Sequence, residues 1–131
     1  MNKTDQGAER QAESVYKIFR ASEWRDAAAA GVFAGSADDR RDGFIHLSAA
    51  QQVAGTLARH FPGEAGLVLA AIPAARLEPA LRWETSRGGA LFPHLYGVLP
   101  VAAVSARWLL AVDADGLHQL PALPDGEPAA P

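Results

Sequence analysis

Cysteine is absent from the 131 residues, and methionine occurs only at Met1. Without cysteine there can be no disulfide framework, thiol nucleophile, Cys-ligated zinc or iron–sulfur cluster. That usage fits a reducing cytoplasm, which is the expected location. Long apolar runs are also missing. Leu67–Ile72 and Trp108–Val112 fall far short of the roughly 18–20 residues that span a bilayer. The polar stretch Met1–Gln11 lacks the apolar core of a signal peptide, and no membrane partner is expected. A basic excess is lacking as well. Twelve Lys and Arg against fifteen Asp and Glu leave a net charge of −3, so RNA is an unfavoured partner and any nucleic-acid contact must be local. There is no Walker A motif, Rossmann glycine fingerprint or nucleophile elbow.

What is present reads as one domain of about residues 14–120 between two tails, residues 1–13 and 121–131. The first is polar and aperiodic; the second carries four prolines in eleven residues. Val15–Arg20 reads as a short strand. Ser22 stands as the N-cap of a helix over residues 23–30, which Gly31 ends. Residues 35–41 read as polar turn, and Asp42-Gly43 as a tight turn into a strand over 43–47. In that strand Ile45 and Leu47 share one face, Phe44 and His46 the other. Ser48-Ala49-Ala50-Gln51 matches a capping box, and apolar residues recur at helical spacing from there to Phe61.

Further along, Leu67–Ile72 is a continuous apolar run, as in a buried central strand. Leu81, Trp83 and Thr85 alternate with Arg82, Glu84 and Ser86, which gives one apolar and one polar face. Phe92–Gly97 is interrupted by proline and glycine and does not read as an ordinary core strand. Ser105–Val112 is a last strand, and Asp115-Gly116 turns the chain into a hairpin with 117–120. The fold class is α+β with a largely antiparallel sheet and early helices.

Chemistry-bearing side chains gather in two stretches. His46 lies mid-strand with Ser48 two residues on. Glu84 shares its strand face with Arg82 and Ser86. Arg87 opens a Gly-Gly turn, after which His94 and Tyr96 point the same way if the segment is extended. His46, Glu84 and His94 are the candidate catalytic residues. Each has a plainer reading, as a hydrogen-bonded core histidine or a solvated strand face. His46, Glu84 and His94 would also be the ligands of a metal, but no short-spaced histidine pair supports one, and none is expected. His60 and His118 read as surface residues.

Gly35-Ser36, Asp42–Ser48 with Gln51, Trp83-Glu84, Ser86–Gly89 and Phe92–Gly97 together resemble a bacterial family catalogued as domain of unknown function 952. The resemblance covers Tyr16 to Val112 and implies a fold similar to that of ADP-ribosyltransferases. The order of elements around His46-Leu47-Ser48 is also distantly similar to the RNA 2′-phosphotransferases, which use NAD. By that similarity His46 and Ser48 line a ligand cleft, the region from Arg82 to Gly89 lies across from them, and NAD is the cofactor brought forward. Those enzymes place a histidine near the end of the first strand. Here Tyr16-Lys17-Ile18-Phe19 stands there, with Lys17 the nearest counterpart.

The leading expectation is transfer or cleavage at a nucleotide or phosphorylated sugar. His46 or His94 would move a proton, and Glu84 would stabilise positive charge at an anomeric carbon. Lys17, Ser48, Arg82, Ser86, Arg87 and Tyr96 would bind a small, anionic ligand. Alternatives are a non-catalytic module that binds such a ligand, and a structural or interaction protein.

Overall fold

A computed structural model describes residues 13–123. The expected tails lie largely outside this range. Leu123, however, is buried in the core, so the packed chain continues past Pro121.

Strand β1 (Ser14–Phe19) lies between β4 (Ser48–Ala49) and β5 (Val68–Pro73), and β9 (Ala106–Leu109) completes a four-stranded sheet of order β4-β1-β5-β9. All its pairings are antiparallel. Alternation along β1 sends Val15, Lys17 and Phe19 to one face and Tyr16 and Ile18 to the other. Both faces are covered. Val15, Phe19, Ala70 and Ile72 pack with Phe33, Ile45 and Leu95. Tyr16, Ile18, Leu69 and Ala71 pack with Val53 and Leu57 of helix α3 (Val53–His60). Two covered faces explain why β5 is apolar throughout. Among the described residues no helix is long and apolar enough to cross a membrane.

A second sheet, of order β3-β7-β6, joins β3 (Ile45–His46), β7 (Leu91–Leu95) and β6 (Leu81–Thr85). Ile45, Leu81 and Leu95 turn inward to the core. His46 lies opposite His94, Arg82 opposite His94, and Glu84 opposite Phe92, so these side chains share the other face. Short strands β2 (Val32–Phe33) and β8 (Leu99–Pro100) pair beside this core. The hairpin of β10 (Ala111–Val112) and β11 (His118–Gln119) forms at Asp115-Gly116 as expected. The whole is a mixed α/β protein with antiparallel sheets and few helices.

Four local expectations give way to the structure. Helix α1 (Ala21–Ala30) is capped at Arg20, whose amide donates to Glu23 Oε1 at 2.9 Å; Ser22 lies inside the helix. The supposed turn over 35–41 is helix α2 (Ala37–Asp42), capped by Ser36, whose Oγ accepts from Asp39 N at 3.1 Å. Ser48 is no N-cap. It pairs with Tyr16 in β4, and the reach-back bond falls one residue later, from Ala49 N to Gln52 Oε1 at 2.9 Å.

Finally, Phe92–Leu95 does form a strand, the central one of its sheet. Pro93 is tolerated because its carbonyl accepts from Leu47 N at 3.1 Å where the ladder with β3 is ending, so the missing N–H falls at the end of that pairing.

Candidate functional site

Lys17 is the only charged residue in β1, and it points into the core beside Val15 and Phe19. A buried ammonium needs a compensating charge. Helix α2 supplies it: Lys17 Nζ donates to Asp39 Oδ2 at 3.0 Å and to the carbonyl of His46 at 3.0 Å. Asp39 is itself only 2% exposed. Its Oδ2 also accepts from Ser36 N at 2.9 Å. Its Oδ1 accepts from the backbone N of His46 at 3.1 Å and meets His46 Nδ1 at 2.6 Å. Asp39 thus ties β1, α2 and β3 together.

The electrostatics follow from this wiring. Burial alone would raise the Asp39 carboxyl, but the hydrogen bond from the His46 ring and the Lys17 charge outweigh it and hold the group well below the usual carboxylate range. Burial lowers the Lys17 ammonium, and Asp39 opposes that shift only in part. His46 Nε2 lies 2.9 Å from Asp42 Oδ2, so in its imidazolium form the ring donates to a carboxylate on each side.

The second histidine is built in the same way from another carboxylate. His94 is 5% exposed in the middle of the second sheet, and its Nδ1 meets Glu84 Oε1 at 2.8 Å. Tyr96 donates its hydroxyl to that same oxygen at 2.7 Å. These two bonds hold Glu84 below the ordinary carboxylate range, that from His94 being the larger cause, while the bond to Glu84 raises the Tyr96 phenol. Phe44 stacks on the His94 ring, with centroids 4.0 Å apart. With Nδ1–H committed to Glu84, the neutral ring leaves Nε2 as an acceptor, and no described residue bonds it. The rings of His46 and His94 meet edge to face at 5.9 Å.

Both histidines line a cavity of about 410 Å³, together with Lys17, Asp42, Ser48, Thr56, Arg59 and Ser86. Of the residues expected to form the site, Lys17, His46, Ser48, Ser86 and His94 therefore reach it. Glu84, Arg82 and Tyr96 do not. Glu84 stands behind His94 and bonds its ring, and the Arg82 guanidinium stacks 5.0 Å over the Tyr96 ring. The side chain of Arg87 lies outside the described residues. Of the two histidines expected at the surface, His60 is exposed and lines the cavity as well, and half-buried His118 bonds the Glu64 carbonyl through Nε2 at 2.7 Å. Asp39 was not foreseen, although Ser36 and Asp39 have capping-box spacing and a lysine in an apolar strand calls for an acid. Among the described residues, no group of three or more His, Asp or Glu could hold a metal ion.

An NAD ribose clamp does not fit these residues. The first-strand position at which the resemblance would place the ribose is Lys17, and its ammonium is buried and already bonded to Asp39 and to His46.

The fold and site define a mixed α/β protein whose cavity displays two carboxylate-held histidines. The chain belongs to the family described as "Protein of unknown function (DUF952)", whose sequence profile matches residues 18–107. It is similar to protein CC0527 from Caulobacter crescentus, whose crystal structure shares 52% identity over 81% of this chain and 93% of that one, with a TM-score of 0.78. The solution NMR structure of CC0527 gives 52% identity over 81% and 91% of the two chains and a TM-score of 0.74. Among curated proteins none matches.

Proposed function

We propose that the cavity is a proton-transfer site for a small anionic molecule, in a cytoplasmic enzyme that performs transfer or cleavage at a nucleotide or phosphorylated sugar. The observation that carries this reading is His94. A histidine locked in one orientation by Glu84 and Phe44, with Nε2 open to a cavity, has the geometry of a general acid or base. Glu84 and Tyr96 position it from behind, as outer partners do for a working imidazole. His46, fixed by Asp39, presents a second imidazole beside it. The resemblance to ADP-ribosyltransferase-like folds and to RNA 2′-phosphotransferases supports the nucleotide or sugar phosphate as substrate class, without the NAD step.

A non-catalytic binding module is the second reading. Lys17 favours it, because a buried lysine already bonded to Asp39 and His46 stands where the enzymes that the sequence resembles hold NAD.

Thermal unfolding with ADP-ribose, ribose 5-phosphate, NAD and nicotinamide tests the proposal, followed by product analysis of any ligand that binds. A ligand at about 100 times its dissociation constant stabilises by roughly 2.7 kcal/mol, a shift of several degrees for a domain of this size. Conversion of the bound ligand should fall by about 10²–10⁴ in His94→Gln. If no ligand in the panel shifts the midpoint, or if His94→Gln converts it as wild type does, the proposal fails. A ligand that binds wild type and is returned unchanged establishes the binding module instead.

A further inference from the structure

Six fully charged side chains line the cavity: Lys17, Asp38, Asp39, Arg41, Asp42 and Arg59. Five are engaged in ion pairs within the protein, three carboxylates against two cations. Lys17 is paired with Asp39 at 3.0 Å, and Arg41 with Asp38 at 3.2 Å and with Asp42 at 2.9 Å. Arg59 has no ion pair or hydrogen bond among the described residues. It is the cavity's one uncommitted full charge in that set.

Its surroundings are those of an anion receptor. Thr56 and Arg59 stand one turn apart on α3 and so share a face. Thr56 Oγ1 lies 3.1 Å from Ser48 Oγ on β4. One of these hydroxyls donates to the other, which leaves the acceptor's own hydrogen without a described partner. Ser48 is 4% exposed, so little besides an occupant of the cavity can reach its hydroxyl.

We infer that Arg59 is the anion-holding residue of the cavity and seats a phosphate group of the ligand between its guanidinium and the Ser48–Thr56 hydroxyl pair. This rests on the reading of the cavity given above and deepens it: the substrate is a phosphate ester, bound by its phosphate at the α3 side with its reacting end turned toward His94. Arginine suits the task because its planar fork donates two parallel bonds to phosphate oxygens, whereas lysine offers a point charge.

The test is an NMR titration of the full chain with inorganic phosphate and, separately, with ADP-ribose. It uses wild type, Arg59→Gln, Arg59→Lys and the control Arg25→Gln, which alters an exposed charge on α1 away from the cavity. Phosphate should shift the amides around Thr56 and Arg59. Its affinity should drop by about tenfold or more in Arg59→Gln, recover in part in Arg59→Lys and stay unchanged in Arg25→Gln. Equal affinity in wild type and Arg59→Gln, or no phosphate binding by wild type, overturns the inference.

The ADP-ribose arm separates the two ideas. If ADP-ribose moves the His94 ring resonances with the same affinity in wild type and Arg59→Gln, the role of Arg59 is refuted and the cavity reading stands. If phosphate binds at Arg59 but ADP-ribose leaves His94 unmoved, the Arg59 site stands and the proton-transfer reading falls.

Discussion

His46 and His94 face each other across adjacent strands, with ring centroids 5.9 Å apart, and each gives its Nδ1 to a different carboxylate. The two pairs differ in kind. Asp39 is sealed beneath the sheet and bonded to Lys17, whereas Glu84 is partly exposed and bonded to Tyr96. One imidazole is thus wired into the core, while the other is set on a strand and left with an open nitrogen.

That difference fixes a tautomer. At alkaline pH, ¹⁵N spectra of the histidine rings should show His94 with its proton on Nδ1 and Nε2 bare. Glu84→Ala should release this preference and produce a mixture. A wild-type ring protonated on Nε2 would refute the arrangement.

Asp39→Asn leaves Lys17 buried without a full counter-charge. Breaking a buried pair from one side costs about 3–5 kcal/mol, to be read from urea denaturation. A loss within about 0.5 kcal/mol of zero, the range of an ordinary surface substitution, would contradict the burial described here.

The same carboxyl sets an acid limb. Its folded pKa is depressed, so its contribution is complete above the unfolded value of about 4 and disappears as the pH falls toward the lower folded value. Stability should therefore decline on acidification below about pH 4, and this slope should flatten in a variant lacking the Asp39 carboxylate. Denaturation midpoints in a pH series provide the measurement.

Gly43 ends α2 with φ of +88°, and a Cβ there would meet nothing within 4 Å. Gly43→Ala should then cost about 1–2 kcal/mol through backbone strain alone. A neutral result in thermal unfolding would show that the turn between Asp42 and Phe44 relaxes freely.

Much of the site's face was legible from a period of two. Alternation along 44–47 and 81–86 places Phe44 with His46 and Arg82 with Glu84, and the pairing of β3, β6 and β7 brings these onto one surface. Asp39 was hidden for a physical reason. Within Asp38-Asp39-Arg40-Arg41 it reads as one more solvated acid, and only a contact with Lys17, 22 residues away, buries it. Ser48 misled because it fits the capping pattern better than Ala49, where only the glutamine half is met, and the choice was made by pairing with Tyr16, a tertiary contact that overrides local preference. His94 lay in a stretch that proline should disrupt, yet Pro93 falls where its missing donor matters least.

The bond from the His46 amide to Asp39 has a consequence for the kinetics of recognition. Lys17 pins that carboxylate from the middle of β1, so the anchor of the His46 ring cannot withdraw without leaving a buried ammonium unpaired. The His46 amide should consequently exchange its hydrogen for deuterium more slowly than the amides of the exposed loops. A ligand approaching this wall of the cavity meets a receptor already frozen in shape. The ordering entropy there was incurred at folding, and the penalty on association falls on the incoming molecule and on the exposed side chains at the rim.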